Sequence, residues 1–327
     1  MPKVVLLGSD EIALPAFRAV RALPGVEVAA VYSQPDRPSG RGQEIRPNAV
    51  AAWAREEGLT LLQPERLGPE DAASLAASGA ELGVVMAYGQ LLKEDFLSAT
   101  RLGFVNFHGS LLPALRGATP VEAALALGLA ETGVTLQQVV RRLDAGPVHA
   151  RATVSIQPGE GRASLRARLG RLAGEMVPAS LPPVLSGASR PLPQDESAVS
   201  HTRRLSKTDA ALDFTASAHE LACRIRALEG WPGSSFEHRG ETVKVCAAEA
   251  AQGKGAPGVV LESGKTGVLI ACGEGAILIT RMQRAGGRAL PASEFLPGHP
   301  FVGGEVIASC PMPALVSATP FPRPGRA

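Results

Sequence analysis

Phe104-Val105-Asn106-Phe107-His108-Gly109-Ser110-Leu111-Leu112-Pro113 reads as a buried strand that stops at a glycine and passes into a proline-ended turn. Side chains alternate between the two faces of a strand. Asn106 and His108 therefore share one face, and Val105 and Phe107 pack on the other. A carboxamide and an imidazole together at a strand end are chemically useful. Asn can donate to a carbonyl oxygen that is gaining negative charge, and His can move a proton near neutral pH. The same pair could also cap a strand or hold a loop, and a short motif does not decide between the two.

Upstream, Lys3 to Gly8 is a short apolar run ending in Gly, and the spacing of Ile12, Phe17 and Val20 predicts a helix over 12–23. A second strand follows over 26–31. This βαβ opening predicts an α/β fold with a doubly wound, Rossmann-like parallel sheet. Gly8-Ser9-Asp10 is no dinucleotide fingerprint, so nothing supports an NAD-linked dehydrogenase. The segment from Gln34 to Pro47 is rich in Gly, Pro and charge and predicts a long irregular loop. Arg37, Arg41 and Arg46 are its exposed candidates for phosphate contact, although a solvated mobile loop has the same composition. Helices are expected over 49–57 and 69–78, and strands over 59–62 and 82–87, the last ending in Tyr88-Gly89. Ligands of open α/β sheets collect at the carboxyl ends of strands. Tyr88-Gly89 and Asn106–His108 should therefore lie on one rim.

Downstream, Thr119 and Pro120 predict a helix start, with the helix running through Leu127. Strands are expected over 133–140 and 147–156, joined by the turn Leu143-Asp144-Ala145-Gly146. An Asp in a turn is ordinarily structural. A role for Asp144 depends on the fold bringing it to His108. A long helical pattern over 161–185 closes a first domain placed at 1–188. Residues 189–206, rich in Pro, Ser and Gly, are expected to be a linker. Short alternating runs between glycines over 207–310 predict a small antiparallel β domain, a barrel. The last stretch, 311–327, is proline-rich and is expected to be disordered.

The totals narrow the classes. With 327 residues, two domains are expected. The formal net charge is only +2, which argues against bulk polybasic binding and leaves localised Arg contacts open. The four cysteines are far apart and form no CxxC, which reads as buried thiols in a reducing compartment and no metal site. No run approaches a membrane span, and a cytoplasmic protein is expected.

In order, the chain carries Gln34-Pro-Asp-Arg-Pro with Gly40-Arg41-Gly42, then Ala87-Tyr88-Gly89, and Asn106-x-His108-Gly-Ser-Leu-Leu-Pro113 with Arg116-Gly117-Ala118 and Pro120. Glu131-Thr132-Gly133-Val134-Thr135, Leu143-Asp144-x-Gly146, Leu205-Ser206-Lys207 and Trp231-Pro232 complete the set. On these residues the chain, from about 3 to about 300, resembles the methionyl-tRNA formyltransferases of the folate-dependent formyltransferase superfamily. The resemblance implies formyl transfer from 10-formyltetrahydrofolate to the α-amine of initiator methionyl-tRNA. It implies Asn106, His108 and Asp144 as the catalytic group. It implies Ser110, Leu111, Leu112 and Pro113, with Tyr88 and Gly89, as folate-binding residues. Arg41, with Arg37, Arg46 and Lys207, would contact tRNA, and the second domain would be OB-like. No metal is implied, and a monomer is expected. The chain departs from the family pattern at Gly8-Ser9-Asp10, at Ala114-Leu115 and at Gln43-Glu44. A related enzyme that formylates an amine on a nucleotide-linked sugar is the nearest alternative. A non-catalytic folate- or nucleic-acid-binding protein is the alternative of another class.

Overall fold

The structure, a computed structural model, describes residues 1–39 and 44–322. In chain order the main elements of the first two hundred residues are β1 (Lys3–Leu7), α1 (Leu14–Arg21), β2 (Glu27–Tyr32), α2 (Ala49–Glu56), β3 (Leu61–Leu62), α3 (Pro69–Ala77), β4 (Leu82–Val85), α4 (Glu94–Leu97), β5 (Phe104–His108), α5 (Pro120–Ala126), β6 (Glu131–Gln138), β7 (Val148–Ser155) and α6 (Arg162–Leu185). The strands form one seven-stranded sheet in the order β7-β6-β5-β4-β1-β2-β3. From β3 to β5 all neighbours are parallel. β6 runs antiparallel to β5, and β7 antiparallel to β6. The sheet is therefore mixed, not wholly parallel as the βαβ opening predicts. A parallel neighbour needs a long crossover, whereas β6 and β7 are joined by the short connection through Asp144.

The central strands are apolar on both faces because helices cover both. Val4 to Leu7, Leu82, Val84, Phe104 and Val105 have no exposed surface. On one face Val5, Leu7, Tyr32, Leu75, Phe96 and Phe104 form a continuous cluster. Each such side chain contributes roughly 1.5–3 kcal/mol of burial. The atypical Gly8-Ser9-Asp10 has a local explanation. The Asp10 carboxylate accepts from the Ile12 amide at 3.0 Å and pairs with Arg166 at 2.7 Å. Asp10 thus caps a 3-10 turn, Glu11–Ala13, that carries the chain into α1.

Packing divides the chain into a first unit of Met1–Gly117, Glu131–Ser155 and Arg166–Ser200, and a second of Ala118–Ala130, Ile156–Leu165 and His201–Ala327. This differs from the expected boundaries at 188 and 206. The expected linker is not free up to Ser200: Leu192 bridges Val148 with two backbone hydrogen bonds, at 2.7 and 2.9 Å, and Gln194 is buried. The loop over 34–47 also holds structure, because Arg37–Ser39 pairs antiparallel with Glu44–Arg46.

In the second unit, α7 (Ala218–Ala227) precedes β8 (Ser234–His238), β9 (Glu241–Ala251), β10 (Val260–Gly264), β11 (Gly267–Ala271) and β12 (Ala276–Arg284). These five strands form an antiparallel sheet in the order β8-β9-β12-β11-β10. Leu221, Ala222 and Ile225 of α7 share a core with Val243, Val245, Ile277 and Ile279. The expectation of a structureless tail from Pro311 does not hold for the described part. Val316 and Ser317 pair with Thr202 and His201, and Leu315 is buried. The Pro313 and Ala314 carbonyls accept from Arg224 at 3.1 Å and Arg203 at 3.0 Å. Proline lacks an N–H but its carbonyl still accepts, which is how a proline-rich segment is held. Among the described residues no helix is long and apolar enough to cross a membrane.

Candidate active site

The β5–β6 register builds the floor of the site. Asn106 stands opposite Gln137, and His108 opposite Thr135. Directly opposed residues of an antiparallel pair lie on the same face. Four polar side chains thus line one face where the neighbouring positions, Phe107 and Leu136, are core.

His108 is buried, with 6% exposure, and its Nε2 lies 3.0 Å from the Leu115 carbonyl oxygen. A carbonyl only accepts, so Nε2 must carry the proton. In the neutral imidazole the lone pair is then on Nδ1, which lies 3.7 Å from the Asp144 carboxylate. Leu115 reaches this position with φ 61°, in the left-handed region. Such a conformation costs about 1 kcal/mol or more and persists only where the surroundings impose it. The Ser110–Pro113 segment supplies that frame. Ser110 Oγ donates to the Ala114 carbonyl at 2.7 Å, while Thr135 Oγ1 donates to the Ser110 carbonyl at 2.7 Å and accepts from the Leu112 amide at 3.1 Å.

Asp144 arrives from the β6–β7 connection. It too has a left-handed backbone, φ 50°, which Asp tolerates better than most residues. Its carboxylate accepts from the Gly117 amide at 2.8 Å and from Gln137 Nε2 at 3.0 Å. The glycine two residues on has a steric reason. A Cβ on Gly146 would stand 1.7 Å from the Gln138 carbonyl oxygen. Only Gly lets the loop fold back over the end of β6 and bring Asp144 to His108. Asn106 completes the arrangement from the strand side. It is half-buried, and its carboxamide has no hydrogen-bond partner among the described residues. A half-buried, unengaged amide beside a base and a carboxylate is free to donate to a bound carbonyl.

The structure thus brings His108 and Asp144 together and places Asn106 on the same face of β5, opposite the Gln137 that holds Asp144. It places the other expected residues as follows. Ser110 and Leu112 are buried, and Leu111 and Pro113 half-buried, in the turn that frames His108. The Tyr88 ring lies in the core with Leu7, Tyr32 and Phe104, and burial pushes its phenol upward. Its carbonyl accepts from Gln34 Nε2 at 3.1 Å. Gly89 follows in the left-handed region, φ 86°. Arg37 and Arg46 stand opposite each other in the exposed ribbon, Arg37 against Glu65 and Arg46 2.7 Å from Glu44. Exposed pairs of this kind are weak, typically under about 1 kcal/mol. Lys207 is exposed at the start of a 3-10 turn in the second unit. Arg41 lies outside the described residues. Sequence reasoning missed Gln137, whose signal was a buried polar alternation at Thr135 and Gln137, and Gln194, which had none.

Residues 4–181 match the formyl transferase family, and residues 204–300 match the formyl transferase C-terminal domain. An N-formyltransferase from Helicobacter canadensis, solved in complex with folinic acid and dTDP-3-aminofucose, shares the fold with a TM-score of 0.65 at 13% identity, over 85% of this chain and 99% of that one. The class defined by fold and site is therefore that of the formyl transferases. Within it, the methionyl-tRNA formyltransferase of Dechloromonas aromatica is 40% identical over 304 residues, covering 93% of this chain and 98% of that protein. That of Acidiphilium cryptum is 43% identical over 304 residues, covering 92% and 98%. The chain belongs to the methionyl-tRNA formyltransferase family.

Proposed function

We propose that the protein transfers the formyl group of 10-formyltetrahydrofolate to the free α-amine of initiator methionyl-tRNA. The observation that carries the chemistry is the unengaged Asn106 carboxamide beside a histidine whose tautomer is fixed and whose lone-pair nitrogen faces Asp144. The α-amine of a free chain has a pKa of roughly 8, and an adjacent ester lowers it, so a neutral nucleophile exists near pH 7. The amine attacks the formyl carbon on N10. Asn106 donates to the formyl oxygen as it becomes an oxyanion. His108 Nδ1 takes the amine proton, Asp144 stabilises the imidazolium that results, and the proton passes to N10 as that nitrogen departs. No covalent bond to the protein is required. The folate would lie along Ser110 to Pro113, with Gly89 on the same rim.

The acceptor reading rests on the family relationship and on the placement of cations. Arg37 and Arg46 are exposed and only weakly engaged, so phosphate oxygens can displace their carboxylate partners at small cost. Arg41, between them in sequence, and Lys207 are further proposed contacts. The test is formyl transfer from 10-formyltetrahydrofolate to charged initiator tRNA by wild type and His108→Ala. Wild type should formylate methionyl-tRNA, and the variant should be slower by about a hundredfold or more. A wild type that ignores the tRNA but formylates an amino sugar linked to a nucleotide would overturn the acceptor and keep the site. A wild type active on neither would remove the enzymatic reading.

A further inference from the structure

We propose that Gln194 is a positioning residue for formyl transfer, clamping the loop that carries Asp144 so that the carboxylate stays against His108. The proposal rests on the catalytic reading of Asp144 and His108 given above.

Gln194 is only 9% exposed. Its Nε2 donates to the Asp144 carbonyl at 2.9 Å and to the Gly146 carbonyl at 2.7 Å. Those two bonds use both amide hydrogens. Its Oε1 accepts from Arg116 Nε at 3.0 Å and Nη2 at 2.8 Å. The guanidinium only donates and the two carbonyls only accept, so the amide has a single workable orientation. Arg116 is itself 1% exposed and is held again by Glu196 at 2.8 Å. The clamp therefore has a buried, charged anchor at one end and the reactive loop at the other.

Asp144 needs such a clamp because its backbone is left-handed. Gln137 holds the carboxylate and Gln194 holds the main chain, so the two amides fix different degrees of freedom of one residue. The same segment also reaches the other side of the site. Ser200 Oγ accepts from the Leu115 amide at 2.9 Å, and the Ser200 carbonyl from the Arg116 amide at 2.9 Å. Leu115 is the residue whose carbonyl sets the His108 tautomer. Residues 192–200 thus brace both partners of the His108–Asp144 pair. Displacing a catalytic group by about 1 Å can cost on the order of a hundredfold in rate.

Gln194→Glu and Gln194→Ala test the clamp. The Glu variant keeps the acceptor for Arg116 and loses both donors to the loop; the Ala variant loses everything. Both should lower kcat by about tenfold or more while KM for the folate and the tRNA stays within about twofold. The Glu variant sets an oxygen against both carbonyls, so both variants should melt below wild type, and amide exchange over residues 142–147 should quicken in both. The proposal is overturned if Gln194→Glu keeps the wild-type kcat, since packing of Arg116 would then be the whole role. It is also overturned if exchange over 142–147 does not change, or if losses of kcat merely follow losses of melting temperature. If wild type itself transfers no formyl group, the functional reading fails, while the exchange measurement still decides whether Gln194 holds the loop.

Discussion

Asp144 in the first unit and Asp209 in the second are both carboxylates largely withdrawn from solvent, and the molecule uses them in opposite ways. Asp209 has no exposed surface and is surrounded by charge. It accepts from Arg203 at 2.9 and 2.5 Å, lies 3.8 Å from Arg224, and accepts from the Ser206 amide at 2.6 Å and hydroxyl at 3.0 Å. Burial alone would raise its pKa, but the Arg203 and Ser206 contacts outweigh burial and hold it below the ordinary carboxylate value. Asp144 is held by two neutral donors, a backbone N–H and a carboxamide. The ionisable group beside it is the His108 imidazole. A carboxylate locked between guanidiniums is committed to structure. One solvated by neutral amides keeps its charge available to whatever forms on the imidazole.

The sharpest break of that contrast is Asp144→Asn. Asn tolerates the left-handed backbone and can still accept from the Gly117 amide. The charge goes, and with it the acceptor for Gln137 Nε2. We expect kcat to fall by about a hundred- to ten-thousandfold, with little change in melting temperature. A variant within tenfold of wild type would show that the charge is idle. Asp209→Asn should do the reverse. Removing one member of a buried ion pair leaves uncompensated arginine charge and costs about 3–5 kcal/mol. Urea melts should show that loss, while kcat per folded molecule stays near wild type. Equal stability would mean that water reaches Arg203 and Arg224 well enough to replace the carboxylate.

The contrast also explains what the sequence made legible. β1 and β4 are apolar on both faces and β5 opens on Phe104-Val105, so their runs stand out in the chain. The side-chain alternation of a strand is enough to put Asn106 and His108 on one face. Asp144 was different. Its partner is far along the chain, and the antiparallel turn of β6 that brings it round has no signal in a βαβ pattern, so it could be assigned only by resemblance. Gln194 was illegible for a physical reason. It sits among Pro, Ser and Gly, the composition of a linker, and its fixed position comes from a side chain bonding to carbonyls and to a buried arginine. The ribbon of Arg37–Ser39 and Glu44–Arg46 and the paired residues Val316 and Ser317 escaped for the same reason: single backbone pairings in polar, proline-rich sequence leave no periodicity.

A half-buried base sharpens the contrast by a smaller amount. His149 at the start of β7 sits between Ser189 Oγ at 2.7 Å and Gln138 Oε1 at 3.1 Å. Its partners are neutral, like those of Asp144, so nothing offsets the loss of solvent, and burial lowers its pKa below the ordinary 6.5. In the unfolded chain this imidazole takes up a proton below about 6.5, whereas in the folded protein it resists. The unfolded state thus binds more protons in that window, and stability rises with pH across it. The His149 contribution is complete above about 6.5 and is lost as pH falls toward the folded value. His299, lowered by burial and by its neighbour His238, acts in the same direction, so wild type alone cannot separate the two. The informative quantity is the difference between wild type and His149→Gln in melts from pH 8 to pH 5. We expect wild type to lose ground to the variant only below about 6.5. Parallel curves would mean that the Ser189 and Gln138 contacts hold the charged imidazole as well as the neutral one. Neutral partners would then suffice to carry a half-buried charge, and the reading of Asp144 as the less committed of the two carboxylates would lose its physical basis.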